Sequence, residues 1–198
     1  AATVRPGATE GAVAGAAFAA VRAAAAEGWS FPPIVGSGGA GCVLHYDANR
    51  GVLADGELVV GDIGARYGYY CGDLTRTFPV SGRFGGRQRG LYEAVLKAYD
   101  AAVATLAPGS TLAEARRAAF AAFQDAGLAG DRGEPLGNFF IHGLGHFLGL
   151  ETHDVGGEGP TLRPGMVVTV EPGVYLPEEG IGIRVEDDYV ITPTGAEN

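Results

Sequence analysis

Short apolar runs and alternating apolar and polar residues mark several β-strands in this chain. Two strands are predicted within 58–80, where they form a hairpin around a glycine-rich bend. Two more are predicted at 166–171 and 181–192, joined by a loop that contains proline and glycine. A short strand at 42–46 is expected to place His45 at its end.

Three other segments repeat their apolar residues at helical spacing. The first predicted helix starts after the N-cap Thr9 and runs to about Glu27. The second covers 87–107, and the third starts at the capping box Thr111–Glu114. The predicted core faces of the first and third helices are Val13, Ala17, Ala20, Val21 and Ala24, and Leu112, Ala115, Ala119 and Phe123. The apolar segment 139–150 contains glycines at 143, 145 and 149, which disfavour a helix.

The order of these elements is helix, hairpin, two helices and a second hairpin. No linker interrupts the chain, so the pattern predicts a single α+β domain over residues 1–198. The sequence starts without methionine and stops just after a strand-like run, so we expect it to be a fragment of a longer polypeptide.

Composition indicates a globular protein, with 46% hydrophobic and 19% charged residues. A net charge of -9 argues against binding to nucleic acid or to an anionic membrane. The two cysteines, Cys42 and Cys71, lack CxxC spacing and favour free thiols in a reducing, cytoplasmic setting, with one disulfide as the alternative. We expect no membrane span.

Four carboxylates interrupt the predicted hairpin strands: Asp62, Asp73, Glu171 and Glu186. A buried carboxylate without a partner costs several kcal/mol, so each needs a reason to be there. A single aspartate beside glycine is more simply explained as a turn residue. Because each hairpin carries a pair of acids around a loop, we expect both pairs to face one cavity.

Histidines follow in the segment between the hairpins, at His142, His146 and His153. One such histidine taken alone is better explained as a core residue bonded to a backbone carbonyl. Together with four carboxylates, it completes an oxygen-rich donor set that suits Mn²⁺ or Mg²⁺. Four carboxylates exceed the need of one ion and can bridge two ions about 3.5–4 Å apart.

Four long motifs then resemble the pita-bread metallopeptidases, the family of methionine aminopeptidase, prolidase and aminopeptidase P. They are DIGARYGYYCGDLTRTFPVSGRF, FFIHGLGHFLGLETHDVG, LRPGMVVTVEPGVY and GIGIRVEDDYVITPTGAEN. The resemblance covers nearly the whole chain. It implies a curved antiparallel sheet with helices on its outer face.

By position in these motifs, the resemblance implies five metal ligands: Asp62, Asp73, His146, Glu171 and Glu186. They would hold two divalent ions, with Mn²⁺ expected and Co²⁺ or Zn²⁺ as alternatives, and Asp73 and Glu186 would bridge the pair. The implied catalytic residues are His45, His142, His153, Glu171, Arg184 and Tyr175. Glu171 would shuttle a proton, His45 and His153 would donate hydrogen bonds to the substrate, and Arg184 is expected to pair with Glu186.

Within the family the motifs are most similar to aminopeptidase P, which implies release of an N-terminal residue that precedes proline. Prolidase, which cleaves Xaa-Pro dipeptides, is the alternative, and methionine aminopeptidase is a poorer match to the segment GLETHDVG. A non-catalytic peptide-binding fragment and a metal-free hydrolase are the other readings. Proline-specific members usually carry an additional N-terminal domain, which we expect to be absent from this chain. The expected partners are a peptide with proline in second position and further copies of the full-length protein.

Overall fold

The computed structural model describes residues 2–198 and contains three α-helices. They are α1 (Glu10–Ala23), α2 (Gly86–Val103) and α3 (Leu112–Gln124). The strands are β1 (Gly28–Trp29), β2 (Ile34–Ser37), β3 (Leu58–Ile63), β4 (Ala65–Tyr67), β5 (Tyr70–Cys71), β6 (Leu74–Pro79), β7 (Val167–Val170), β8 (Gly173–Leu176), β9 (Ile181–Arg184), β10 (Asp187–Thr192) and β11 (Gly195–Glu197). Short 3₁₀ helices cover Gly38–Cys42, Leu136–Phe139 and Pro177–Glu179.

All strand pairs are antiparallel and form four small sheets, which together with the helices confirm the α+β class. The sheets have the orders β1-β4-β5, β2-β3-β6, β8-β9 and β11-β10-β7. β6 lies against β9, where the Thr77 hydroxyl donates to the Arg184 carbonyl at 3.0 Å. An antiparallel bridge joins Thr75 to Glu186 directly beyond it. The two acid-bearing hairpins therefore lie side by side.

The main core forms where α2 and α3 pack against the strands. Leu112, Ala115, Ala119 and Phe123 are all fully buried on α3, as the helical spacing predicts. The predicted capping box is also present, because the Thr111 hydroxyl accepts from the Glu114 amide and the Glu114 carboxylate accepts from the Thr111 amide. The local sequence alone is therefore sufficient to predict this helix.

The first helix differs from its prediction. Thr9 caps it as expected, but it ends at Ala23, and Ala25 beyond it takes a left-handed φ of 61°. No residue of its predicted apolar face is fully buried, Ala20 and Ala24 are exposed, and the buried residue of α1 is the acid Glu10. Alanine side chains are too short to show from spacing alone which face of a helix is covered.

The prediction of a strand at 42–46 is wrong. A 3₁₀ helix ends at Cys42, and His45 lies in an irregular turn that follows it. The hairpin at 58–80 contains four strands instead of two, and the strand at 181–192 is interrupted between Arg184 and Asp187. As predicted, 139–150 is not an α-helix.

Two further expectations concern the chain as a whole. Both cysteines carry free thiols, and burial raises the pKa of Cys42 to about 11. Among the helices within residues 2–198, none combines the length and the apolar character that crossing a membrane requires.

Candidate metal centre and active site

A cavity of about 790 Å³ opens where the two hairpins meet the histidine segment. The cavity is lined by all but one of the side chains singled out from the sequence: His45, Asp62, Asp73, His142, His146, His153, Glu171, Arg184 and Glu186. Tyr175 is the exception. It lies behind the lining and is 2% exposed.

The strands position the acids at the base of this cavity. Asp62 lies on β3, Asp73 just before β6, Glu171 just after β7 and Glu186 between β9 and β10. Asp73, His146 and Glu186 each offer a ligand atom within 4.8 Å of the others. His146 Nε2 also lies 3.6 Å from Glu171 Oε1, which connects the fourth residue to the cluster.

The electrostatics of the cluster fit bound cations. Asp62 Oδ1 and Asp73 Oδ1 are buried and accept no hydrogen bond within residues 2–198. Burial and the neighbouring Asp62 charge raise the pKa of Asp73 to about 9. The pKa of Glu186 is raised by burial and by repulsion from Asp73. The pKa of Glu171 is likewise raised by burial and by repulsion from Glu186. Divalent cations would satisfy the lone pairs and remove this repulsion, so the residues suit a metal centre.

Arg184 binds a different acid from the one expected. Its guanidinium donates to Asp62 Oδ2 at 2.7 Å, to the Tyr175 hydroxyl at 2.8 Å and to Thr75 Oγ1 at 3.2 Å. Glu186 instead accepts from the Thr75 hydroxyl at 2.6 Å. Arg184 is 4% exposed, so its guanidinium donates to these buried neighbours and not to molecules in the cavity.

His142 extends this network to the cavity surface. Its Nε2 lies 2.9 Å from the Tyr175 hydroxyl, and its Nδ1 lies 2.7 Å from the Gly143 carbonyl. Burial, reinforced by the Arg184 charge, lowers the pKa of His142 to about 4. Burial raises the pKa of Tyr175 to about 12. Both groups are therefore neutral at physiological pH.

His45 and His153 also line the cavity, and both are exposed. Their ring centroids are 6.3 Å apart, and the His153 ring lies 4.3 Å from that of His146. Burial and the nearby His146 lower the pKa of His153. These imidazoles are within reach of a molecule that enters the cavity.

The histidine segment reaches the cluster because it runs along the edge of β7. The Thr169 amide donates to the His146 carbonyl at 2.9 Å, and the Glu171 amide donates to the Leu144 carbonyl at 2.8 Å. A Cβ on Gly145 would overlap the Thr169 carbonyl oxygen. Glycine at this position lets the two backbones approach, which explains why a helix-disfavouring residue interrupts an apolar segment.

Two threonines of the site were not among the residues predicted from the sequence. Thr75 donates to Glu186 and accepts from Arg184, and Thr169 accepts from the His146 amide at 3.0 Å. Both are fully buried. Strand alternation places Thr75 on the face of Asp73 and Thr169 on the face of Glu171, so a buried hydroxyl beside an acid was the available signal.

The chain matches Metallopeptidase family M24 over residues 1–193. It is 45% identical to an Xaa-Pro aminopeptidase of Escherichia coli, over 85% of this chain and 43% of that protein. It is 42% identical to an Xaa-Pro aminopeptidase of Haemophilus influenzae, over 84% of this chain and 44% of that protein. A solved structure of an aminopeptidase P variant from Escherichia coli superposes with a TM-score of 0.91 at 40% identity, over 98% of this chain and 49% of that one.

The chain thus spans less than half the length of these curated relatives. The agreement nevertheless extends over nearly all of its own residues and includes both acid-bearing hairpins and the histidine segment. From sequence, architecture and site together, this chain belongs to metallopeptidase family M24 and has its pita-bread fold.

Proposed function

We propose that the protein containing this chain hydrolyses the peptide bond between an N-terminal residue and a following proline. The observation that carries the proposal is the convergence of five ligand-type side chains and three further histidines on one cavity. The names of the similar bacterial proteins, Xaa-Pro aminopeptidases, supply the substrate class.

Asp62, Asp73, His146, Glu171 and Glu186 would hold two divalent cations, with Mn²⁺ as the expected metal. Such ions act as Lewis acids and make water a better nucleophile at neutral pH. The support for this assignment is the crowding of unneutralised carboxylates and the acceptor atoms that lack hydrogen bonds within the described chain.

The remaining chemistry falls to side chains that reach the cavity. Glu171 keeps 19% of its side chain exposed, so it can take a proton from the attacking water and pass it to the leaving nitrogen. His45 and His153 would donate hydrogen bonds to the substrate carbonyl as negative charge develops on it. His142, Tyr175 and Arg184 hold Asp62 in place from behind.

The cavity lining also includes apolar side chains. They are Phe31, Pro32, Ile34 and Leu44. Proline carries no amide hydrogen and has a fixed ring, so shape and apolar contact must recognise it. We propose that these side chains contact the apolar part of the substrate.

We further propose an aminopeptidase and not a dipeptidase. A dipeptidase must bind the free carboxylate of its product proline, which generally requires a cation. Arg184 is the only arginine or lysine of the described residues that lines the cavity, and its donors are already engaged. Peptides that continue beyond proline avoid this requirement.

The test compares kcat/KM for Xaa-Pro-Xaa tripeptides and Xaa-Pro dipeptides, using the full-length protein with Mn²⁺. A charge-assisted hydrogen bond contributes roughly 1.5–3 kcal/mol, so a preference for the tripeptide of about 10-fold or more is expected. A preference for the dipeptide would reassign the protein to prolidase activity. Metal binding without hydrolysis of either peptide would support a non-catalytic, peptide-binding role.

Location and assembly complete the proposal. The two free thiols are consistent with the reducing environment of the cytoplasm, where we place the protein. We expect the full-length protein to be a homo-oligomer. Fractionation and light scattering test these two statements independently of activity.

A further inference from the structure

Glu10, the first residue of α1, is a buried carboxylate that belongs neither to the metal cluster nor to the cavity lining. It is 0% exposed, and no ion pair involves it within residues 2–198. Burying a carboxylate without a cation costs several kcal/mol unless hydrogen bonds replace its hydration. Such a group needs an explanation beyond helix formation.

Four hydrogen bonds from three residues satisfy this carboxylate. Oε1 accepts from the amide and hydroxyl of Ser37, both at 2.8 Å. Oε2 accepts from the Tyr46 hydroxyl at 2.9 Å and from the Gly51 amide at 2.6 Å. Glu10 therefore connects α1 to the end of β2 and, at two points, to the chain around His45.

The segment 43–52, here called the His45 loop, contains no helix and no strand of more than one bridge. Leu44, His45 and Asp47 of this loop line the cavity. Because no strand ladder holds these residues, their position depends on the side chains that bind the loop. Tyr46, which is adjacent to His45, is bound by Glu10.

The end of the loop is shaped around the same carboxylate. A Cβ on Gly51 would lie 2.6 Å from Glu10 Oε1, so the acid occupies the space that a side chain would need. A second contact restrains the middle of the loop, where the Asn49 side chain accepts from the Val35 amide at 2.7 Å and donates to the Pro33 carbonyl at 2.8 Å. Of the two contacts, the one from Glu10 binds nearer to His45, because its partner Tyr46 is the next residue in the sequence.

A purely structural role explains these contacts less well. Thr9 already caps α1, and the backbone of 7–10 pairs with 51–53 without help from the carboxylate. An exposed acid would serve the helix N-terminus equally, since its interaction with the helix dipole does not require burial. The additional effect of burying Glu10 is to restrain the His45 loop.

We propose that Glu10 is a positioning residue for His45, holding the His45 loop so that the imidazole faces the reacting carbonyl. This rests on the proposed function for the role of His45. It predicts that Glu10 influences turnover only through His45 and has no influence on the metal ligands. A misplacement of about 1 Å in a catalytic group can lower a rate by about 10²-fold, which sets the scale of the effect.

Glu10→Gln tests the proposal with nearly unchanged volume. The amide nitrogen has no lone pair to accept with, so either the Ser37 pair of donors or the Tyr46 and Gly51 donors lose an acceptor. In the full-length, metal-loaded protein we expect kcat to fall by about 10- to 10²-fold, with KM and metal content nearly unchanged. Tyr46→Phe should change the same quantities in the same direction by a smaller factor.

A double-mutant cycle distinguishes positioning from general stability. In a His45→Ala background, Glu10→Gln should lower kcat no further, because the group it positions is gone. Independent losses that multiply would overturn the proposal. Glu114→Gln, which weakens the capping box of α3 away from the cavity, is the matched control and should leave kcat within about twofold.

A spectroscopic measurement separates this proposal from the proposed function. The imidazole signals of the full-length protein can be recorded by NMR, and His45→Ala identifies the His45 signal among those of the four histidines in this chain and any others. Glu10→Gln should shift or broaden that signal, and Glu114→Gln should not. An unmoved His45 signal overturns the positioning role even if peptides are cleaved.

If Xaa-Pro peptides are not cleaved but the signal moves, only the proposed function fails. If Glu10→Gln does not fold, Tyr46→Phe carries both measurements.

Discussion

The two sides of the cavity are built by different means. The strand side, which carries Asp62, Asp73, Glu171 and Glu186, lies on or directly beside hydrogen-bonded strands. There Asp62 pairs with Thr75 across the β3–β6 ladder, and Thr75 is bridged to Glu186. The loop side, which carries His45 and His153, has irregular backbone held by side-chain contacts.

This difference matches the demands of the two proposed tasks. Repelling carboxylates need rigid backbone to stay close, because burial and like charge both oppose their ionisation. Imidazoles that contact substrate must instead lie at an open surface, where strand pairing would leave no room for a peptide. We therefore expect metal binding and turnover to respond separately to substitutions on the two sides.

The largest effect is expected from the strand side. Glu186→Ala removes a central member of the acid cluster and should lower both metal content and activity. Losing several kcal/mol of transition-state stabilisation corresponds to roughly 10³-fold or more in kcat. Elemental analysis of the purified variant, together with its kcat, provides the check. Full metal content in this variant would contradict the assigned ligand role.

On the loop side, His45→Ala should lower kcat by about 10²-fold while metal content stays at the wild-type value. The reason is that His45 is not a member of the close group of ligand atoms formed by Asp73, His146 and Glu186, and that it lies outside the strand ladders. Parallel metal and kinetic assays of this variant and Glu186→Ala make the comparison direct. Equal metal loss in both would remove the distinction between the two sides.

A smaller effect is expected from Thr75→Val, which keeps the shape of the side chain but removes its hydroxyl. Glu186 would lose a donor at 2.6 Å, and Arg184 would lose an acceptor at 3.2 Å. Residues that orient metal ligands typically contribute about 10- to 10²-fold to metal affinity, so weaker Mn²⁺ binding is expected. Calorimetric titration of the metal-free variant measures it. Unchanged affinity would show that the strand ladder alone holds Glu186.

The smallest expected change is in the stability of the metal-free protein as a function of pH. Its buried carboxyl groups have raised pKa values, about 9 for Asp73, so the folded state holds protons that the unfolded state releases. Stability should be highest near pH 4 and fall as the pH rises toward 9. Melting curves of chelator-treated protein at pH 5 and pH 8 should differ by several degrees, with pH 8 lower.

Added Mn²⁺ should raise the melting temperature most at pH 8, because the ligands bind the metal only when deprotonated. A metal-stripped sample whose melting curve is independent of both pH and Mn²⁺ would contradict the charge crowding on the strand side. His45→Ala serves as the control here, and its melting curves should follow those of the wild type.

The features that sequence determines in this protein are those that depend on neighbouring residues. The core face and capping box of α3 follow from spacing over a few positions, and both are present as predicted. The same holds for the irregular segment 139–150, where glycine recurs. Acids placed inside apolar strands indicate a charged site for the same local reason, since burial requires a partner wherever the strand packs.

Only the tertiary structure decided which distant groups meet. Arg184 binds Asp62, which is 122 positions away in the sequence. The two residues meet because β9, which carries Arg184, lies against β6. Glu10 binds Tyr46, 36 positions away, across a loop that alternation misidentified as a strand. Periodicity reports which face of an element is apolar, but the partner of a buried polar group is set by how the elements pack against one another.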